Sequence, residues 1–422
     1  MKYHAMPGDS THWTFLWCTT ALIGLIWSPA ILSISMTLLL VTGVVGLRQK
    51  TLRRRAAERL RSQYGLWALT LLFWLVVPGF VGLDDPEYWH SRLRIKLPFL
   101  VLPLAFLLLP PLSRRQVRGL HLVLLGLLVG VSVQMVATYL LDYAAINQAI
   151  KEGRPMPTPG NHIRLSLLMA YGVVGGIQLL RGAPVTGYRR EGWFVAGATF
   201  LVFLILHILS VRSGLVVLYA VLAAMLVHAI LTQGHWRLGI GGLILLIGLP
   251  VLTYALVPSF RNKINYTRYQ YQLRWDQNMQ QGNYSDAGRI LSWRIGWELL
   301  QEHPWLGVGP GNLRQRVDQI YAERYPEVER KRMPHNQFLS VAAGSGLLGL
   351  LVFLVGFLAP LFCRKAYRSP LLLFFYLIIT LSCLVENTLE NAEGVGLFTL
   401  WVCILTADGG RITDYGTVDG LR

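Results

Sequence analysis

One histidine in the sequence has the setting of a general base. His335 lies in the run Met333–Gln337, where a long hydrophilic segment meets an apolar one. The proline before it is typical of a helix start, so His335 should lie at the positive end of a helix dipole, beside Lys331 and Arg332. The dipole and both cations favour the neutral imidazole, the form that accepts a proton. We therefore predict that His335 is catalytic, with Asn336 beside it as a substrate contact.

Three arginines stand at the edges of apolar or helical segments. Arg212 lies in a tight connection between two apolar runs, and Arg164 lies about one turn into the start of another. Arg289 should lie in the first turn of a helix, where the dipole disfavours a cation, so it needs an anion: a bound phosphate or Asp286. Arginine binds phosphate bidentately and keeps its charge, which favours a phosphate site. The alternative for Arg212 and Arg164 is an interfacial anchor that reaches water.

Acidic residues form two groups. Glu386 and Glu390 lie around the turn between the last two apolar runs, and Glu386 falls inside the apolar part. A buried carboxylate requires a cation or a metal, so we expect one of the arginines as the partner of Glu386; the alternative is a purely structural ion pair. The second group is Asp84–Glu87, which could bind Mg²⁺ or Ca²⁺ but is more typical of loop and cap residues. We therefore predict neither a metal site nor a cofactor.

These residue types together favour transfer of a group from a pyrophosphate leaving group to a hydroxyl. The arginines could neutralise the charge of the leaving group, as a metal does elsewhere. The histidine could deprotonate the acceptor hydroxyl. The acidic residues and Asn336 would complete the substrate contacts.

The composition indicates that a membrane must position these residues. Of 422 residues, 53% are hydrophobic and only 14% are charged, whereas a soluble domain has about a quarter charged. We predict an all-α, polytopic integral membrane protein, and the hydrophobicity makes nucleic acid an improbable partner for the net charge of +17. Twelve apolar runs are candidate spans, with ten or eleven still open: Trp13–Ser28, Ala30–Leu47, Gly65–Leu83, Leu97–Leu112, Gly119–Ile146, His162–Leu180, Trp193–Leu209, Ser213–Leu231, Leu238–Val257, Asn336–Phe362, Pro370–Leu389 and Gly394–Leu405.

The basic residues predict the orientation. Seventeen Lys and Arg lie in the short connections of one side and seven in those of the other. The positive-inside rule then places both termini in the cytoplasm. Residues 1–257 would hold spans one to nine, 258–335 one large outer loop, and 336–422 the last three spans and a cytoplasmic tail. Every candidate site residue falls on the outer side.

The large outer loop should contain two helices. Ser285 or Asp286 can cap a helix that includes Arg289–Glu302 and ends at a His-Pro pair. A second helix is predicted over Leu313–Arg324. Ile290, Trp293, Trp297 and Leu300 recur every three to four residues, which predicts an apolar face on the membrane surface or against the bundle.

Four segments resemble the O-antigen ligase/polymerase superfamily. They are the arginine turn SVRSG (Ser210–Gly214), GRILSWRIGWELLQEHPWLGVGPGN (Gly288–Asn312), the histidine motif PHNQFLSVAAGSGLLGLL (Pro334–Leu351) and the acidic closing motif ENTLENAEGVGLF (Glu386–Phe398). Their combination and order carry the resemblance, which covers Ser210–Phe398, while the first half of the chain is similar mainly in hydropathy.

The resemblance implies a metal-independent, inverting glycosyltransferase of the bacterial inner membrane. It would move a glycan from undecaprenyl pyrophosphate to an acceptor on the periplasmic side, and in the ligase branch the acceptor is lipid A–core. Arg212 and Arg289 would hold the pyrophosphate, and His335 would activate the acceptor or contact the phosphate. Arg164, Asn336, Glu386 and Glu390 are further candidates for substrate contacts.

Other functions stay open. A single dominant outer loop in a chain of 422 residues favours the ligase over an O-antigen polymerase or a protein O-oligosaccharyltransferase of the same superfamily. A lipid-linked glycan flippase or other transporter would require charged residues at mid-membrane and a path to both sides. The candidate residues lie at one edge, which favours the transferase.

Overall fold

The fold is helical throughout the part of the chain that the structure describes. A computed structural model describes residues 9–152, 154–272 and 285–407, and no strand occurs in these ranges. The helices, in chain order, are α1 (Asp9–Trp27), α2 (Pro29–Gly46), α3 (Lys50–Ser62), α4 (Tyr64–Leu69), α5 (Leu71–Trp74), α6 (Pro86–Lys96), α7 (Pro98–Leu108), α8 (Arg114–Leu141), α9 (Tyr143–Lys151), α10 (His162–Leu180), α11 (Glu191–Leu209), α12 (Arg212–Gln233), α13 (Trp236–Leu256), α14 (Pro258–Gln272), α15 (Ser285–Glu302), α16 (Leu313–Arg324), α17 (Gln337–Phe362), α18 (Pro370–Val385) and α19 (Ala392–Thr406).

Several helices are long and apolar enough to cross a bilayer, which needs about 20 residues. Within the described ranges seven qualify: Pro29–Gly46, Arg114–Leu141, His162–Leu180, Glu191–Leu209, Arg212–Thr232, Gly239–Leu256 and Gln337–Arg368. An eighth is possible if Lys50–Ser62 and Tyr64–Phe80, which meet at a bend of 70°, form one span. The protein is therefore a polytopic helical membrane protein.

Each of the twelve apolar runs contains helix, but several differ from an uninterrupted span. The third run is broken into α4, α5 and a 3₁₀ turn at Val77–Phe80. Within the fifth run, Gly119–Ile146, the helix α8 ends at Leu141 and the short helix α9 follows it. The helix α7 has only 11 residues, and α18 and α19 are also shorter than a full span. A count of twelve crossings stays a prediction.

The chain divides into two compact units. Of the described residues, the first unit comprises 9–120, 285–372 and 383–407, and the second comprises 121–152, 154–272 and 373–382. In the first unit α1 packs on α2, α2 and α19 pack on α7, and α17 packs on α4 and α15. In the second unit α10 packs on α11 and α12, and α12 packs on α13.

The helices α15 and α16 of the first unit have a small core of their own. Leu291, Ile295 and Leu299 of α15 pack with Leu313 and Val317 of α16. Ile290 and Trp297 of the predicted apolar face are 42% and 57% exposed and lie outside this core. That this face lies on the membrane surface stays a prediction. The helix bounds match the sequence analysis: α15 includes Arg289–Glu302 and α16 is Leu313–Arg324.

The connection between α15 and α16 is hydrogen-bonded to α17 at a break in that helix. Gly346 has φ 66° and ψ −172°, which interrupts the helical hydrogen bonds. The freed amides of Leu347 and Leu348 donate to the carbonyls of Pro304 and Trp305 at 2.8 and 3.3 Å. The connection is thereby bonded directly into the helix that follows His335.

Candidate functional site

The structure brings three of the predicted residues of the first unit together. His335 Nδ1 lies 3.0 Å from Glu386 Oε2, and the other oxygen of Glu386 accepts a hydrogen bond from the Arg289 guanidinium. Glu386 is 1% exposed, so its charge is held away from water. The expectation that a buried Glu386 pairs with an arginine is confirmed, and its contact with His335 is an addition to it.

The helix that carries Arg289 also holds the backbone of His335. The Ser292 hydroxyl accepts from the His335 amide at 3.1 Å, and Trp293 Nε1 donates to the His335 carbonyl at 2.8 Å. Pro334 packs against Gly296, where an added Cβ would lie 2.9 Å from the proline ring. Arg289 and His335 are therefore positioned by the same few residues of α15.

His335 lies directly before the N-cap of α17, near the positive end of the helix dipole. Asn336 is the N-cap, its Oδ1 accepts from the Leu339 amide at 3.0 Å, and the helix begins at Gln337. His335 therefore precedes the cap. The prediction for His335 considered only the helix dipole and the neighbouring cations. In the structure the carboxylate of Glu386 also lies beside the imidazole.

Arg289 lies further along its helix than expected. The helix α15 begins at Ser285, so Arg289 is its fifth residue and not part of the first turn. The predicted need for an anion is met by Glu386 instead. The side chains of Ser285 and Asp286 lie outside the described residues, so the predicted capping and pairing there stay predictions.

The surroundings of this cluster carry more positive than negative charge. Burial lowers the pKa of Arg332, and the nearby charges of Arg330 and Arg289 lower it further. The charge of Glu386 acts in the opposite direction on Arg332 but is shared with Arg289 and His335. A cluster with this imbalance favours an anionic ligand.

A second polar network lies next to the cluster and contains Glu390. Lys96 Nζ donates to Glu390 Oε1 at 2.6 Å, and Arg92 lies 3.4 Å from the other oxygen. Gln337 Nε2 also donates to Glu390 Oε1, at 2.7 Å. Burial alone would raise the pKa of Glu390, but Lys96 and Arg92 outweigh it and hold that pKa below its usual value. Glu390 is thus bonded inside the protein, and its predicted substrate contact stays a prediction.

Three members of this network were not predicted from the sequence: Arg92, Lys96 and Gln337. Arg92 and Lys96 are one helical turn apart on α6, a spacing that puts both on one face. That spacing could have been used to predict an anionic partner, because two cations on one helix face repel each other unless an anion lies nearby. Gln337 gave no such signal, because an amide in an apolar run has no characteristic partner.

The remaining predicted arginines lie in the second unit. Arg164 is the third residue of α10, where the Asn161 side chain caps the helix, and Arg212 is the first residue of α12. The two helix starts are closely packed, because a Cβ on Gly214 would lie 2.3 Å from Ser166 Oγ. Arg212 also donates to Thr267 of α14 at 3.3 Å. The predicted roles of Arg212 as a pyrophosphate contact and of Arg164 as a substrate contact stay predictions.

One residue of the acidic run Asp84–Glu87 is a helix cap. Asp85 Oδ1 accepts from the Tyr88 amide at 2.9 Å at the start of α6, which confirms the cap interpretation. The Asp84 amide donates to Asn312 Oδ1 at 3.0 Å, so this segment is bonded to the connection between α15 and α16. Among the residues that the structure describes, no three His, Cys, Asp or Glu side chains come together as metal ligands would.

A comparison with known protein families supports the resemblance that the sequence motifs indicated. The family model described as O-antigen ligase matches residues 182–354, a range that includes Arg212, Arg289 and His335. Arg164, Glu386 and Glu390 lie outside it. No curated protein matches the chain. The family match confirms the resemblance to the O-antigen ligase superfamily.

Proposed function

We propose that this membrane protein is a glycosyltransferase with a polyprenyl-pyrophosphate-linked donor. The match of residues 182–354 to the O-antigen ligase family model supports this proposal. The donor is undecaprenyl pyrophosphate carrying a glycan, and the acceptor is a hydroxyl of lipid A–core on the periplasmic side. One observation carries the proposal: His335 Nδ1 lies 3.0 Å from the buried carboxylate of Glu386, which Arg289 also contacts.

This geometry suits a general base. An imidazole that donates from Nδ1 to a carboxylate leaves the lone pair of Nε2 free to accept a proton. Glu386 would fix the tautomer and the ring orientation, as an orienting carboxylate does for other catalytic histidines. His335 is partly exposed, with 23% of its side chain accessible, so a hydroxyl can approach it.

The proposed step is a single displacement. The acceptor oxygen forms a bond to the anomeric carbon while the bond from that carbon to the pyrophosphate oxygen breaks. The acceptor proton goes to His335 Nε2, and the bonding pair leaves with undecaprenyl pyrophosphate. Because the attack comes from the face opposite the leaving group, the configuration of the linkage inverts.

The arginines would bind the leaving group. Arg289 combines a place beside the base with surroundings rich in positive charge. Arg212 and Arg164, at the packed helix starts of the second unit, are proposed as phosphate-binding residues as well. Planar guanidinium groups suit phosphate oxygens and stabilise the charge that develops on a leaving pyrophosphate.

Reconstitution with purified donor and acceptor tests the proposal. The full chain in proteoliposomes is given undecaprenyl-pyrophosphate glycan and lipid A–core, and the products are separated by size. Glycan joined to lipid A–core supports the ligase, and longer glycan still linked to the polyprenyl carrier would identify a polymerase. Translocation without any transfer would contradict the proposal and favour a transporter.

His335→Gln is the decisive variant in that assay. Glutamine keeps hydrogen-bonding capacity but cannot accept the proton, so we expect a loss of about 10²–10⁴ in rate. His303→Gln is the matched control, because His303 is exposed at the end of α15 and should leave the rate unchanged. Turnover of His335→Gln at the wild-type rate would mean that His335 positions substrate and is not the base.

A further inference from the structure

Glu386 lies in a connection between two helices, outside regular α-helix. The helix α18 ends at Val385, α19 begins at Ala392, and only a short 3₁₀ turn at Thr388–Glu390 lies between them. The backbone around Glu386 must therefore be fixed by contacts with other segments. The residues that make these contacts control where the carboxylate lies relative to His335.

Two side chains directly after His335 bind this segment on both sides of Glu386. Asn336 Nδ2 donates to the Leu384 carbonyl at 2.9 Å. Gln337 Oε1 accepts from the Leu389 amide at 2.8 Å. One bond lies before Glu386 in the chain and one lies after it, so the same short stretch that carries His335 also clamps the segment that carries its partner.

Gln337 is fully buried, and both ends of its amide are used. Its Nε2 donates to Glu390 Oε1 at 2.7 Å. Lys96 anchors Glu390 from α6 and also donates to the Leu389 carbonyl, at 2.5 Å. The Gln337 side chain is 0% exposed, so water cannot replace either bond if the amide is removed.

We propose that Gln337 is a positioning residue for the His335–Glu386 pair, and that Glu390 and Lys96 act through it. The inference rests on the proposed function, in which His335 is the base and Glu386 orients it. Gln337 touches no reacting atom in this proposal. It keeps the segment 384–390 in register with the start of α17, so that the Glu386 carboxylate stays on Nδ1.

The first test is Gln337→Leu in the full-length chain, measured by transfer kinetics. Leucine has a similar volume but makes neither bond, and a displacement of about 1 Å at a catalytic group can cost about 10²-fold in rate. We expect kcat to fall by about 10- to 100-fold while KM changes by less than about three-fold, because substrate contacts remain.

Gln63→Leu is a matched control for simple loss of a buried amide. Gln63 is 1% exposed, donates to the Ala407 carbonyl at 3.0 Å and accepts from Cys363 Sγ at 3.4 Å, within the same unit but elsewhere. Both variants should lower thermal stability, and only Gln337→Leu should lower kcat. Equal kcat losses in the two variants would overturn the proposal.

A double-variant cycle separates positioning from a general structural role. If Gln337 acts through Glu386, adding Gln337→Leu to Glu386→Gln should cause little further loss of kcat. Losses that multiply would contradict this. Exchange of the two partners, Gln337→Glu with Glu390→Gln, retains a hydrogen bond between them and should recover part of the activity that Gln337→Glu alone loses.

A measurement without substrate distinguishes failure of this inference from failure of the proposed function. Diethyl pyrocarbonate modifies accessible imidazole nitrogens, and mass spectrometry reports the rate at His335 separately. We expect Gln337→Leu to shift that rate from the wild-type value toward that of Glu386→Gln. A shift without any glycosyl transfer by wild type would retain the positioning role and refute the proposed function. Wild-type labelling together with wild-type kcat in Gln337→Leu would refute the positioning role.

Discussion

Glu386 is shared by two partners, and this sharing determines what substitutions around it should do. One carboxylate oxygen contacts His335 and the other contacts Arg289. A change at Arg289 therefore removes a guanidinium and also leaves a buried carboxylate with one partner fewer. In the proposed mechanism the three residues act as a unit, so their individual effects on the rate should not add.

At Arg289 we expect substitution by alanine to reduce transfer by about 10²–10³-fold, because a charge-assisted contact to the leaving group is lost. Arg289→Lys should recover only part of the rate, since an ammonium lacks the planar fork. Arg294→Ala, an exposed arginine on the same helix, serves as the control in the reconstituted assay. Full activity of Arg289→Lys would show that a positive charge alone is sufficient.

At Arg212 the expectation is similar but the structural setting differs. Arg212 begins α12 and donates a hydrogen bond to the Thr267 hydroxyl. Arg212→Ala should lower transfer by about 10²–10³-fold if it binds phosphate in the transition state. Thr267→Val removes the hydroxyl that Arg212 contacts and should have a much smaller effect. A loss in Arg212→Ala matched by misfolding in the membrane would instead favour the interfacial anchor.

Transfer should proceed without a divalent metal. The proposed site neutralises pyrophosphate with arginine, and Asp85 of the acidic run is the N-cap of α6. Activity measured in EDTA should equal activity in Mg²⁺. Abolition by EDTA with recovery on addition of Mg²⁺ would refute this and return attention to Asp84 and Asp85.

At the residue scale the sequence predicted kinds of partner better than it predicted the partners themselves. Burial in an apolar run was enough to infer a cation for Glu386. The contact between His335 and Glu386 joins residues 51 positions apart, so neighbouring residues could not reveal it. Gln337 was not predicted for a different reason. A neutral amide has no characteristic partner, so its sequence neighbours do not indicate what it binds.

At the scale of elements, the break in α17 links the connection between α15 and α16 to the helix that follows His335. Gly307 packs onto the backbone at Gly344 and Ser345, and the Val308 amide donates to the Ala343 carbonyl at 3.0 Å. These contacts lie two turns after His335. A change in the break should therefore alter how α17 supports the site.

Gly346→Ala should destabilise the protein. Its φ of 66° is strained for alanine, and the new Cβ would lie 2.1 Å from the Trp305 carbonyl group. Backbone strain alone costs about 1–3 kcal/mol, so thermal unfolding in detergent should occur at a lower temperature. Gly126→Ala is the control, because open space surrounds that position in α8. Equal unfolding temperatures for wild type and Gly346→Ala would mean that the break is not needed for stability.

Sequence patterns located helices well and interruptions poorly. Capping and proline signals predicted α15 and α16 almost to the residue, because those signals are local. The run Asn336–Phe362 instead suggested one uninterrupted span, and its small residues suggested only close packing. The break at Gly346 depends on carbonyls of a connection some forty residues earlier, which hydropathy does not register.

At the scale of the whole molecule, composition was sufficient for the class of fold. A chain with 53% hydrophobic residues forms a polytopic helical membrane protein, as expected. The number of crossings is harder to predict, because α7, α18 and α19 are apolar but short. Short apolar helices can be buried in protein, so apolarity alone does not distinguish them from spans.

The sidedness of the chain is the prediction on which the location of the proposed chemistry depends. Basic residues are concentrated in the short connections of one side, which predicts a cytoplasmic α3 and a periplasmic outer loop.

Ala57 on α3 and Ala322 on α16 are exposed alanines on helices, so cysteines at these positions form a matched pair, and the four native cysteines are buried. A membrane-impermeant maleimide applied to spheroplasts should label Ala322→Cys at once and Ala57→Cys only after permeabilisation. Both should react equally in detergent, which controls for intrinsic reactivity. Because undecaprenyl-linked glycan would have to meet His335 on the periplasmic side, labelling of Ala57→Cys alone in sealed spheroplasts would put the candidate site on the wrong face and refute the proposed reaction.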